Sequence, residues 1–267
     1  MLPAPTPDPQ FGPFGEAVGS GESRVAELLV SVRDPQELLD ASESQVAIVD
    51  LKEPKRGPLA AADTELWSFA ATLWGRDKSL SARSRLSAAL GEPEEARSVA
   101  GKLPSAFEFA KVGPSGCGVE SRLRKVWEDI VALLPSETEL VGVAYADADA
   151  AGCLPPEEVF HLAKNAGLRR CLVDTFTKDG RSTIDHLGFQ RLRDLDAHAR
   201  RLGLWWALAG SIRCESVCEI QRQGWMPDCF GVRGDVCVGD RTAVVSKARI
   251  DRWVEQLQTA RLTLPSA

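Results

Sequence analysis

A TIM (β/α)8 barrel is the architecture this sequence predicts, and three observations carry the prediction. Eight short apolar or small-residue runs alternate with amphipathic segments along the chain. They recur at roughly thirty residues, the length of one strand, one helix and their loops. The first turn of the alternation, Ser31 to Gln36, contains no glycine, whereas a doubly wound sheet carries its glycine-rich nucleotide fingerprint there. An open α/β sheet is therefore the disfavoured competitor.

Residues 1–24 are rich in proline and glycine, without an apolar run, and read as a disordered or loosely packed arm. They lack the basic start and apolar middle of a secretory signal. Residues 25–267 read as one barrel domain. Its strands are expected at 28–32, 46–51, 78–82, 107–111, 140–144, 171–175, 204–209 and 229–233, the third being the weakest. Between them, Asp34-Pro35 supplies a cap and a first-turn proline for a helix over 36–43. Asp63 opens a second helix that closes on Gly75, and Pro93 begins another. Amphipathic segments follow over 121–135, 155–167, 189–203, 215–224 and 247–257, with Gly167 placed as a C-terminal cap.

Composition excludes several classes of function. A net charge of −6 argues against a general nucleic-acid surface. No run approaches the roughly eighteen apolar residues that span a bilayer. Seven cysteines, an odd number without a CxxC pair, read as reduced thiols in a cytoplasmic protein. Cys214 and Cys218 lie one helical turn apart, but no histidine or second pair completes a zinc site. His161, His186 and His198 fall on separate segments, so neither a metal site nor a Ser-His-Asp arrangement is expected. Neither metal nor cofactor is predicted, and homo-oligomerisation is left open.

In a barrel the working groups stand at the carboxyl ends of the strands. Here the four even strands end in charge: Val49-Asp50-Leu51-Lys52, Phe107 to Lys111, Val173-Asp174 running on to Lys178, and Gly231-Val232-Arg233. At a period of two, Val46, Ile48, Asp50 and Lys52 share one face, as do Phe107, Phe109 and Lys111. Lys52, Lys111 and Lys178 should therefore converge with Asp50 and Asp174. Crowded amines in an apolar mouth favour loss of a proton from at least one, and a free amine attacks an aldehyde or ketone. Gly210-Ser211 after strand seven, with Arg233-Gly234 after strand eight, stand where barrels commonly bind phosphate. Tyr145 and Asp147 share a face at the end of strand five, and Asp147 is added to the catalytic candidates. The expected partner is a small phosphorylated carbonyl compound. The same residues also permit plainer readings: a strand-end ion pair between Asp50 and Lys52, or a basic mouth that binds phosphate without covalent chemistry.

In order along the chain, VDLKEPKRGPL, FAKVG, YADA, DTFTKDG, ALAGSI, GVRG and the closing RIDR resemble the (5-formylfuran-3-yl)methyl phosphate synthase family of methanofuran biosynthesis. The resemblance runs over residues 28–257 and is poor over 61–95. It implies a TIM barrel that condenses two molecules of glyceraldehyde 3-phosphate, releasing phosphate and water. It further implies that Lys52 forms the Schiff base, that Lys111 transfers protons, and that Asp174 and Lys178 belong to the active site. No metal would be needed, since a protonated imine is itself an electron sink. Two other readings stay open: a class I aldolase of the deoxyribose-phosphate type, and a barrel that only binds sugar phosphates.

Overall fold

Caps and prolines divide the chain into the alternation expected. A computed structural model describes residues 25–263, so the arm assigned to residues 1–24 lies outside the described residues. Eight parallel strands close into a barrel in sequence order, β1 pairing with both β2 and β8. They are β1 (Glu27–Val32), β2 (Ile48–Leu51), β3 (Arg85–Ala89), β4 (Phe107–Val112), β5 (Glu139–Tyr145), β6 (Arg170–Asp174), β7 (Trp205–Leu208) and β8 (Cys229–Val232). The helices are α1 (Pro35–Glu43), α2 (Thr64–Arg76), α3 (Lys78–Arg83), α4 (Pro93–Val99), α5 (Glu120–Val131), α6 (Ala148–Ala151), α7 (Pro156–Asn165), α8 (Thr183–Leu202), α9 (Cys214–Arg222) and α10 (Lys247–Thr263). All strands being parallel, their carboxyl ends open on one mouth.

Local chemistry sets the helix starts. The Asp34 side chain accepts the Glu37 N–H at 2.9 Å, with Pro35 in the first turn of α1. Ser182 and Asp185 form a reciprocal capping box before α8. Gly167 follows α7 at φ +80°, a left-handed conformation that costs glycine little. The second helix runs one residue past Gly75, to Arg76.

The third strand departs from expectation. Residues 78–83 form α3 instead, because Asp77 accepts the N–H groups of Ser79 and Leu80 and so nucleates a helical turn. The strand follows at Arg85–Ala89, in a stretch whose small residues carry little intrinsic β preference. A second departure lies in β4. Its register against β3 shifts so that Leu86 faces Phe107 while Ser87 faces Phe109. Phe107 consequently turns outward against Trp67, with ring centroids 6.4 Å apart, while Phe109 and Lys111 point inward.

Two apolar layers result. Outside the strands, Val30, Val49, Leu51, Leu86, Val173 and Leu208 pack under the helices. Val46, expected on the face of Asp50, belongs to this outer layer because the strand begins only at Ile48. Inside, Leu29, Ile48, Phe109, Val143 and Leu172 fill the barrel. Trp206 packs outward on Trp225 and Trp205 turns inward, as alternation requires. At the amino-terminal end, the Arg170 guanidinium sits 4.8 Å from the Phe109 ring and 4.7 Å from that of Trp205. This stacked floor confines the polar site to the opposite end.

Candidate active site

The even strands deliver their charged ends to one cavity. It holds about 580 Å³ of open space, counting its mouth, and is lined by Asp50, Lys52, Lys111, Asp174, Lys178, Gly210, Ser211, Arg233 and Gly234 among others. Nine of the ten residues expected at the site therefore meet there, and Asp147 does not.

Asp50 and Lys111 form a buried pair, with Lys111 Nζ 2.5 Å from Asp50 Oδ1. The Ser31 hydroxyl donates to the other oxygen, Asp50 Oδ2, at 3.0 Å. Across the cavity, Lys178 Nζ donates to Asp174 Oδ1 at 2.9 Å and to the Thr175 hydroxyl at 3.0 Å. Burial pushes the Asp174 carboxyl up, but the Lys178 and Lys52 charges outweigh it and hold the group below the usual carboxylate range.

Lys52 is the exception among the three lysines. It is 9% exposed, and its amine makes one long hydrogen bond, 3.4 Å, to the Pro58 carbonyl. Among the described residues no carboxylate lies within ion-pair distance of it. Burial lowers its pKa from 10.5 to about 8, with Lys178 and Lys111 acting in the same direction and Asp174 and Asp50 opposing. The plainer alternative, an ion pair between Asp50 and Lys52, is not formed; Asp50 pairs with Lys111 instead. Lys52 is left with an amine that is partly free near neutral pH.

The phosphate candidates divide. Gly210 and Ser211 both have positive φ, +84° and +56°. A side chain on Gly210 would collide with the Thr183 hydroxyl and lie 2.9 Å from the Thr175 N–H, so only glycine fits. Ser211 is held in the left-handed region at the cavity edge, a strained backbone of the kind that clusters at working sites. Arg233 lines the cavity, but its guanidinium is occupied. It donates to the Ser31, Arg241 and Ala243 carbonyls and bidentately to Glu37, at 2.8–3.3 Å. These contacts use its five N–H groups, leaving none for a phosphate. The sequence suggested Arg233 because it ends β8; its partner Glu37, in the first turn of α1, looks there like an ordinary exposed helix acid.

Asp147 is engaged elsewhere, its two oxygens accepting the N–H groups of Phe176 and Thr177 at 2.7 Å each. Burial opposes its charge, yet these backbone donors keep the carboxyl below its usual range. It therefore anchors the loop after β6 and leaves the cavity to others. Tyr145 donates its hydroxyl to Glu92 at 2.6 Å and stands fully buried, so it is a satisfied packing residue. One cavity residue that the sequence reading missed is Arg241, in the segment after β8. No strand end or motif marks it.

All seven cysteines are free thiols. Among the described residues, no cluster of three or more His, Cys, Asp or Glu side chains could hold a metal ion, and no helix is long and apolar enough to cross a membrane.

Fold and cluster together define the class: a (β/α)8-barrel enzyme whose buried amines and carboxylates stand at the carboxyl ends of its strands. Comparison gives the family. Residues 28–254 match the family described as 4-HFC-P synthase, and the chain belongs to it. The (5-formylfuran-3-yl)methyl phosphate synthase of Methanosarcina barkeri is 29% identical over 239 residues, 86% of this chain and 99% of the relative. That of Methanococcus maripaludis is 31% identical over 225 residues, 81% and 92% of the two chains. Among solved structures, phosphoribosyl anthranilate isomerase from Thermus thermophilus aligns with a TM-score of 0.56 at 14% identity, over 87% of this chain and 98% of that one. KGPDC from Streptococcus mutans, in complex with D-R5P, aligns with a TM-score of 0.57 at 12% identity, over 88% and 98%. These two likenesses show the barrel alone.

Proposed function

We propose that this enzyme condenses two molecules of glyceraldehyde 3-phosphate into (5-formylfuran-3-yl)methyl phosphate, through an imine on Lys52, in methanofuran biosynthesis. Atom balance for that product requires loss of one phosphate and two waters. The observation that carries the reading is the state of Lys52: buried, without an ion-pair partner among the described residues, and flanked by two lysine–carboxylate pairs.

The chemistry follows from those positions. The free amine of Lys52 adds to the carbonyl of one triose phosphate, and loss of water gives the imine. The protonated imine withdraws electrons from the neighbouring carbon, whose proton a carboxylate or amine of the adjacent pairs removes. The resulting enamine expels its own phosphate, and the terminal carbon that carried it attacks the ketone of the second triose phosphate, taken in its ketone isomer. Closure of that molecule's free hydroxyl on the neighbouring carbonyl and loss of two waters give the furan, and hydrolysis of the imine releases Lys52 and leaves the formyl group. Lys111 with Asp50 and Lys178 with Asp174 supply paired acids and bases for these proton movements. Gly210, Ser211 and Gly234 line the cavity, which supports a role for their backbone N–H groups in holding a phosphate.

Incubation with glyceraldehyde 3-phosphate tests the reaction, because a furan aldehyde absorbs in the near ultraviolet and a saturated aldol does not. Appearance of that band, with a borohydride-stable adduct on Lys52, is the expected result. An adduct without the band would indicate an aldolase. Phosphate binding with neither would reduce the protein to a sugar-phosphate binder.

A further inference from the structure

Five cationic side chains line the cavity: Lys52, Lys111, Lys178, Arg233 and Arg241. Three are matched by carboxylates, Lys111 by Asp50, Lys178 by Asp174 and Arg233 by Glu37. When Lys52 acts as a nucleophile it is uncharged. Glu37 is shared with Arg33, but the five N–H groups of Arg233 are all engaged, so among the cavity's own cations Arg241 is then the one that combines permanent charge with open donors.

Arg241 is built differently from the other four. It comes from the segment between β8 and α10, which a Cys237–Val245 bridge and a Val238-to-Val244 backbone bond at 2.8 Å close into a short antiparallel loop. Its guanidinium is half-buried, and Nη2 donates to the Gly57 carbonyl, on the loop after β2, at 2.9 Å. Among the described residues no carboxylate pairs with it. One N–H of five is thus engaged, and the remainder are open for a bidentate contact.

The backbone of Arg241 is fixed by Arg233, whose Nε donates to the Arg241 carbonyl at 2.8 Å. Glu37 locks Arg233 in turn and also accepts the Val245 N–H at 3.3 Å, at the far end of the same loop. Gly234 lies alongside, where a Cβ would stand 3.7 Å from that of Arg241. A buried, fully bonded arginine therefore aims a second arginine with open donors over the cavity.

We propose that Arg241 binds the substrate's phosphate group at the cavity mouth, with Glu37–Arg233 as its positioning pair. It thereby selects phosphorylated over unphosphorylated carbonyl compounds. The substrate's identity rests on the triose-phosphate reading above, whereas the contact itself requires only a phosphate or phosphate monoester dianion.

The test uses the full chain, with Arg241→Met to remove the charge and Arg241→Lys to retain it without the planar fork. Three readouts are needed: binding of inorganic phosphate by calorimetry, steady-state turnover of glyceraldehyde 3-phosphate, and reductive trapping on Lys52 of glyceraldehyde and of glyceraldehyde 3-phosphate. Arg241→Met should weaken phosphate binding and raise KM for the triose phosphate by about 10- to 100-fold, the range of a charged hydrogen bond, with a smaller change in kcat. Trapping of unphosphorylated glyceraldehyde should be unaltered, and Arg241→Lys should recover part of the phosphate affinity.

Wild-type phosphate affinity in Arg241→Met would overturn the assignment. Equal loss of trapping for both aldehydes would do so too, since a strap that merely holds the β2 loop predicts that result. If the wild type traps no triose phosphate while Arg241→Met still weakens phosphate binding, the furan reaction is wrong and the phosphate contact stands.

Discussion

Lys52 makes a prediction in which reactivity and stability have one origin. Its pKa falls from 10.5 to about 8, chiefly through burial. At pH 7.5 about a quarter of such amines are unprotonated, against about one in a thousand for an ordinary lysine. Competitive labelling with a small acylating reagent, quantified by mass spectrometry at Lys52, should rise tenfold per pH unit below about 8 and level off above it. The same shift sets the pH dependence of folding. Between about pH 8 and 10.5 the unfolded chain binds this proton more tightly than the folded one, so stability rises with pH across that window. The cost of burying the ammonium is fully present below pH 8 and amounts to about 3 kcal/mol, an upper limit because the mouth admits water. Lys52→Met removes the charge at similar length. It should abolish adduct formation while raising the Tm at pH 7 by roughly 2–10 °C, at a few degrees per kcal/mol for a chain of this size. The gain should shrink as the pH approaches 10.5. A variant no more stable than wild type at pH 7, or labelling that still climbs tenfold per pH unit near pH 10, would refute the argument.

Three further outcomes follow from the site's contacts. Lys111→Met leaves the Asp50 carboxylate buried with the Ser31 hydroxyl alone, and urea unfolding should register a loss of about 3–5 kcal/mol; Asp50→Asn in the same chain should restore part of it. Gly210→Ala places a methyl against the Thr183 hydroxyl at φ +84°, costing about 2–4 kcal/mol in the same assay, and an undiminished unfolding midpoint would contradict the packing described. Asp147→Asn keeps one acceptor for the Phe176 and Thr177 amides, so stability should fall by about 1 kcal/mol while triose phosphate is still trapped on Lys52. Loss of trapping in that variant, with folding intact, would return Asp147 to the catalytic group.

The parts of the site legible in the sequence share one physical signature, a charged residue ending an apolar strand. Asp50, Lys52, Lys111 and Asp174 carry it, and all four are buried at the mouth. What was not legible depended on partners remote in sequence. Arg233 reads like Lys111, but Glu37, 196 residues away, takes the arginine's fork, whereas Lys111 meets Asp50 inside the barrel mouth. Arg241 lies in a loop with no periodicity, and only the closed barrel brings it to the Gly57 carbonyl, 184 residues upstream. The third strand failed for a local reason. An aspartate with serine two residues later caps α3, whereas Ser87, Ala88 and Ala89 give little hydrophobic signal of their own.

Those small residues explain why Lys52 is the amine left unpaired. Asp50 and Lys52 alternate on one strand, about 7 Å apart along it, too far to meet side by side without bending toward each other. Lys111 stands two strands away, with β3 between: Asp50 is level with Ser87, and Ala89 is level with Lys111. Both β3 residues point inward and are buried, and neither fills the space above the barrel floor. The long Lys111 side chain crosses that gap to reach Asp50. A leucine or phenylalanine at position 89 would stand in its way, and Asp50 would then turn to the neighbour two residues on. Lys52 would gain a carboxylate, hold its proton more tightly and lose its reactivity. The poverty of β3 in bulky side chains, which hid the strand from a reading by hydrophobic pattern, is thus what directs the carboxylate to Lys111 and leaves the Lys52 amine free of it.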